Sequence, residues 1–187
     1  MKKIILSTIL LLFVVSINAQ DYKSISGTVG PINAKARLQY EQQIKDRVTV
    51  GGQLTYYFVN WTGPKLEVFG RLYSKKSNVE EGFFLQGKIG YGNLSVLEED
   101  EYSTSTSRWS TIGLGAAYGW KYMFSDKLGV ETLLGLHFYS SPNYTNDYEE
   151  DYLGEDYTDL YRAGESIGWF ATTGLPIDFQ LKLVYKL

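Results

Sequence analysis

The chain has 187 residues, a formal net charge of -3, 44% hydrophobic residues and no cysteine. That length describes one domain, and a mean hydropathy of -0.20 excludes a bundle of membrane helices, which needs several apolar runs of about 20 residues. Lack of cysteine excludes disulfides, thiolate metal sites and a cysteine nucleophile; 16% aromatics argue against disorder, and the slight acidity argues against nucleic acid as a partner.

The basic start Met1-Lys2-Lys3 is followed by an almost wholly apolar stretch from Ile4 to Val15 and then by Ser16, Ile17, Asn18 and Ala19, with the small Ala19 at the exit and Ile17 bulkier than usual two before it. This is the pattern of a secretory signal peptide over 1–19, too short to span a bilayer as a helix. With no Cys after the segment, lipid attachment there is excluded. Losing Lys2 and Lys3 would leave residues 20–187, a single domain, at a charge of -5.

Alternation with period two fills the remainder. Successive side chains of a strand point to opposite faces, so each alternating segment has one apolar and one polar face. A weak strand spans Tyr22 to Gly30. Ala34, Ala36, Leu38 and Tyr40 then alternate with Lys35, Arg37, Gln39 and Glu41. Val48, Val50, Leu54, Tyr56 and Phe58 alternate with Thr49, Gln53 and Thr55. Leu66, Val68 and Leu72 alternate with Glu67, Phe69 and Arg71. Phe83, Leu85, Ile89 and Tyr91 alternate with Gln86, Lys88 and glycines. Ile112 to Tyr122, Leu128 to Phe138 and Ile177 to Leu187 repeat the pattern, which makes eight strands and no helix. Segment 167–175 shares the parity of the last strand and is read as its extension, with Pro176 at a bulge.

The connections alternate in length. Lys45-Asp46-Arg47, Ser77 to Glu81 and Ser125-Asp126-Lys127 are short; the others, Pro31-Ile32-Asn33, Asn60 to Pro64, Glu98 to Ser107 and Ser141 to Ser166, are mostly longer. The predicted fold class is therefore all-β: a closed antiparallel up-and-down membrane barrel of eight strands, with short periplasmic turns and long extracellular loops.

A soluble lipocalin-like barrel, apolar inside and charged outside, is the alternative. Three features favour the membrane. The polar face is rich in glycine (Gly51, Gly90, Gly92, Gly113, Gly115, Gly119, Gly129, Gly135), as a narrow lumen packed with long side chains requires. Aromatics group by height: Tyr56, Phe58, Trp61, Trp109, Phe138, Tyr139 and Trp169 near the loops, and Tyr40, Tyr73, Phe83, Trp120, Tyr122, Phe124 and Tyr185 near the turns. The strands are also long enough to cross the hydrocarbon.

The leader, the eight alternating segments and the apolar C-terminal strand resemble the small outer-membrane β-barrels of the OmpA transmembrane-domain and OmpX type. The resemblance lies in pattern rather than motif, and Leu187 stands where that family favours phenylalanine. It implies an OmpA-like, porin-like barrel at the cell surface, loops outside and both termini periplasmic, with outer-membrane lipid and the barrel-insertion machinery as partners.

On this parity the lumen carries Lys35, Arg37, Glu41, Glu67, Arg71, Lys88, Lys121, Glu131, Asp178 and Lys182, together with Lys186, and an ion-pair network plugging the barrel is expected. A narrow ion path through that network is the sharper alternative. His137 is the single histidine and points inward, expected to hydrogen-bond Glu131 or a neighbour. The chain is similar in size to the barrel enzyme lipid A deacylase, which would imply a Ser two residues beyond the His; Tyr139 stands there and Ser140 lies on the opposite face. A membrane-embedded lipid hydrolase is thus the third reading, and no enzyme activity and no cofactor are expected.

The loop 141–166 holds eight acids, among them Asp147, Glu149, Glu150, Asp151, Glu155, Asp156 and Asp159, against the single base Arg162. Five tyrosines interrupt it. Glu98-Glu99-Asp100-Glu101 forms a second acidic cluster. These loops are read as a surface for a hard cation or an extracellular protein, although the residues do not follow a calcium-loop spacing. The expected role is structural or in surface interaction.

Overall fold

The computed structural model describes residues 22–30, 34–59, 61–100, 103–141, 166–170 and 175–187. The expected leader over 1–19 and most of the acidic loop, including all seven acids singled out above, lie outside the described residues.

Eight strands follow one another in chain order: β1 (Lys23–Gly30), β2 (Lys35–Lys45), β3 (Val48–Tyr57), β4 (Trp61–Tyr73), β5 (Gly82–Asp100), β6 (Ser103–Met123), β7 (Leu128–Tyr139) and β8 (Ile177–Lys186). Each pairs antiparallel with the next, and β8 returns to β1 through Ser24↔Lys186 to Gly27↔Leu183, so the sheet is a closed up-and-down barrel. Closure leaves no unpaired edge.

The period-two pattern becomes two surfaces. One row of partners, Leu38↔Leu54↔Leu66↔Tyr91↔Ile112, runs around the exposed outside. The neighbouring row, Gln39↔Gln53↔Glu67↔Gly90↔Gly113↔Tyr139, lines the inside. A register slip of one residue would exchange the two, so the alternation itself holds the register. The two termini share one end with the short turns 45–48, 73–82 and 123–128, called the turn end; the opposite end is the loop end.

Three expectations are corrected. Residues 98–100 and 103–107 belong to strands: β5 and β6 stay paired up to Asp100↔Ser103, which makes their hairpin taller than the others. β4 begins at Trp61, because Trp61↔Val96 and Thr62↔Ser95 pair with this tall β5. Residues 166–170 form a helical turn rather than an extension of β8, which starts at Ile177. The turn buries Trp169 while leaving Ile167 and Phe170 exposed.

Candidate functional site: the barrel interior

The interior is built in layers, all polar in the middle and aromatic at both ends. In the layer toward the turn end, Arg71 of β4 is the centre. Its Nη1 donates to Glu41 of β2 and to Glu131 of β7, each at 2.7 Å, and Nη2 donates again to Glu131 at 2.7 Å. Nε donates to Gln86, the direct cross-strand partner of Arg71, at 2.8 Å. Lys121 of β6 donates to Glu41 and to the hydroxyls of Tyr22 and Tyr73. Lys182 of β8 lies opposite Glu131 in register and donates to it at 3.1 Å and to Gln39 at 2.5 Å. Arg71, Lys121, Glu41 and Glu131 are each no more than 1% exposed.

The second layer lies toward the loop end. Asp178 of β8 accepts from Arg37 at 3.0 Å, from Lys88 at 2.6 Å and from Gln180 at 2.7 Å. Glu67 lies 2.9 Å from Lys88 and 3.6 Å from Lys65, and accepts from Gln53 at 2.8 Å. Tyr139 reaches Glu67 across the two intervening strands, at 2.8 Å. Glycine makes that reach achievable. The positions between them in the same row are Gly90 and Gly113; a Cβ on Gly90 would meet the Tyr139 hydroxyl at 2.4 Å, and one on Gly113 its ring at 2.5 Å.

Aromatic clusters close the two ends. At the turn end Tyr22, Tyr73, Val79, Phe84, Ala117 and Leu133 pack together. At the loop end Trp61, Trp109 and Trp169 meet edge to face, with centroids 4.5 to 5.9 Å apart, over Tyr57, Leu94 and Tyr139. Such edge-to-face contacts satisfy the ring quadrupoles. The helical turn at 166–170 thus inserts its one buried side chain into the barrel mouth.

Of the ten residues expected to form the lumen network, nine take part in ion pairs among themselves. Lys35 shares their face but makes no ion pair among the described residues; its Nζ sits 5.6 Å from the Tyr57 ring centroid. Lys186 lies at the rim, 2.6 Å from Glu80. The sequence expectation leaves out Lys65, whose parity relative to outward Leu66 was the available signal; Gln39, Gln53, Gln86 and Gln180 fall on the polar face by the same alternation and join the network as donors and acceptors. His137 is buried beside Asp178, 3.6 Å away, and not beside Glu131, which Arg71 and Lys182 occupy. Ser140 is on the exposed face, its hydroxyl 3.1 Å from that of Thr111, so no Ser–His pair forms.

The expected aromatic belts need revision. Tyr40, Phe83, Trp120, Tyr122, Phe124 and Tyr185 near the turns, and Tyr56, Phe58 and Phe138 near the loops, do face outward. Trp61, Trp109, Tyr139 and Tyr73 face inward because each stands one or an odd number of residues from an outward-facing neighbour on its own strand. Trp169 faces inward through the helical turn. Among the described residues no group of three or more His, Asp or Glu side chains is arranged to hold a metal ion.

A closed eight-stranded antiparallel barrel with a charged, filled interior and an apolar exterior defines the structural class. No protein-family model matches the chain, and no curated protein matches it. Among solved structures, the N-terminal β-barrel domain of Pseudomonas aeruginosa OprF is similar, with a TM-score of 0.51 and 10% identity, covering 91% of this chain and 100% of that one. The fold is therefore an OprF/OmpA-type eight-stranded barrel.

Proposed function

We propose that this chain is an integral outer-membrane barrel, exported by the leader at 1–19, whose lumen is plugged and whose work is done at its surface. The observation that carries the reading is the inverted polarity. Ten buried charged side chains meet inside the barrel, while leucine, isoleucine, valine and aromatic side chains cover the outside. In water that arrangement exposes the apolar area and buries the charges, each at a cost. In a bilayer the same outside is solvated by lipid, and closure satisfies every backbone group. A soluble lipocalin-like binder would need the reverse distribution.

The layered ion pairs and the two aromatic clusters support a plug rather than a wide pore, since eight strands leave room for side chains and little else. With the lumen filled, interaction falls to the loop end. There the acidic, tyrosine-rich segment 141–166 is the surface for a cation or an extracellular partner, with the termini and short turns in the periplasm. Assembly through the barrel-insertion machinery follows from the same reading, and no catalytic role is assigned.

Cell fractionation and gel mobility test the core of this. The chain is expected in the outer membrane, and unboiled protein is expected to migrate differently from boiled protein; recovery from the soluble periplasm would overturn the reading. Deletion of 145–163 should then leave insertion intact and remove cation or partner binding. Loss of insertion in that variant would instead assign the loop to the fold.

A further inference from the structure

The outer wall carries a feature that the plugged interior does not explain. At the turn end a cleft of about 350 Å³ lies between β4, β5 and β6, lined by Arg47, Leu72, Ser74, Phe83, Leu85 and Tyr118 among others. A second cleft of about 510 Å³ continues from it, sharing Ser74 and Phe83 and adding Lys76, Glu81 and Trp120. Both are open grooves in the outer wall rather than enclosed cavities. The upper walls of the clefts are apolar: Leu72, Leu85 and Tyr118 are direct cross-strand neighbours, and Phe83 stacks on Trp120 at 6.2 Å.

The lower edge is cationic. Arg47 is held in place by its own backbone, whose carbonyl accepts from the Tyr73 N–H at 2.8 Å, and by its guanidinium, which donates to the Tyr73 carbonyl at 3.4 Å. Arg47, Lys75 and Lys76 make no ion pair among the described residues, whereas nearby Glu80 is engaged by Lys186 at 2.6 Å. Glu81 is the one acid lining the clefts. An apolar groove on a lipid-facing wall, ending at unneutralised cations at the height of the headgroups, has the shape and charge of a phospholipid with a negative head.

We infer that these joined clefts are a binding site for one anionic phospholipid: the phosphate on Arg47 and Lys76, and an acyl chain along Leu72, Leu85 and Tyr118. This rests on the membrane reading above, and it commits to a lipid rather than free phosphate because the apolar wall is as large a part of the cleft as the cationic edge.

Trp120 supplies a local reporter. The chain has four tryptophans; the other three are buried in the loop-end cluster, and Trp120 is the one that lines the cleft. The test uses the full chain folded in detergent, its fold checked by gel mobility, with phosphatidylglycerol or phosphatidylethanolamine carrying brominated acyl chains. Phosphatidylglycerol should quench Trp120 at lower lipid fractions than phosphatidylethanolamine, and Trp120→Phe should remove the quenching. Arg47→Gln with Lys76→Gln should weaken phosphatidylglycerol retention, read by native mass spectrometry, about 25-fold, since each cation near an anionic headgroup contributes roughly a fivefold factor. Lys127→Gln, on another turn, should leave it unchanged. Equal retention of the two lipids, an unaltered double variant, or an equal effect of Lys127→Gln would each overturn the site. Failure of the membrane reading looks different: a chain found in the soluble periplasm and taking up neither lipid.

Discussion

Arg71 offers the sharpest test of what holds the barrel together. Its guanidinium makes three 2.7 Å contacts to two carboxylates and a fourth, at 2.8 Å, to Gln86. Hydrogen bonds to charged groups contribute about 1.5–3 kcal/mol each, and adding four of them would overshoot. The carboxylates keep other donors after Arg71→Met: Glu41 retains Lys121, Thr49 and Tyr73, and Glu131 retains Lys182. The expected loss is therefore that of breaking one buried pair, about 3–5 kcal/mol. Glu131→Gln alone should cost a similar amount, because Lys182 loses its carboxylate and Arg71 keeps only Glu41. In the double variant the charge removed from each side balances, so its loss should fall short of the sum of the singles by about 1.5–3 kcal/mol. Reversible urea unfolding in lipid vesicles, followed by tryptophan fluorescence and gel mobility, measures all four corners of the cycle. Additivity within about 0.5 kcal/mol would refute the idea that the network, rather than the apolar contacts around it, fixes the lumen.

The remaining predictions concern the fit of the walls and the cap. Gly119→Val should destabilise by about 1–3 kcal/mol in the same unfolding assay, because a Cβ there meets Phe84 at 2.3 Å and the Thr132 carbonyl at 2.7 Å. Gly87→Ala should be neutral or stabilising by up to about 1 kcal/mol, since nothing lies within 4 Å of its Cβ and the unfolded chain loses freedom. Trp169→Ala should raise iodide quenching of Trp61 and Trp109 while leaving the heat-dependent gel shift intact; unchanged quenching would mean that the helical turn does not cover the mouth.

Most of this architecture was legible because period-two alternation and barrel closure depend on local pattern alone. The lumen charges followed from parity, and nine of the ten expected residues do meet. Structure and expectation differ where another signal competes with parity. Trp109 is three residues from outward Ile112, and Tyr73 is next to outward Leu72, so parity already directed both inward; grouping by height placed them in the belts instead. The tall hairpin was missed because acids and serines over 98–107 carry weak strand propensity, while pairing with a neighbour across the sheet supplies what propensity lacks. The helical turn at 166–170 left no signal, since five residues cannot display a helical period and the turn is held by the burial of Trp169 rather than by its own sequence.

The charge count inside the barrel leads to one more expectation. Six buried bases (Arg37, Lys65, Arg71, Lys88, Lys121 and Lys182) face four buried acids (Glu41, Glu67, Glu131 and Asp178). Each acid is consequently shared: Glu41 by Arg71 and Lys121, Glu131 by Arg71 and Lys182, Glu67 by Lys65 and Lys88, Asp178 by Arg37 and Lys88. Neutralising a base leaves its acid with a second partner, whereas neutralising an acid strands one base in a low-dielectric interior: without Asp178, Arg37 has no carboxylate, while Lys88 keeps Glu67. Asp178→Asn should therefore lower the urea midpoint more than Arg37→Gln, although both remove the same ion pair. The difference should exceed about 1 kcal/mol, the scale of a single uncompensated buried group. If Arg37→Gln proves equally or more damaging, the surplus positive charge is neutralised by something other than these four carboxylates, and the lumen is not the self-contained plug described above.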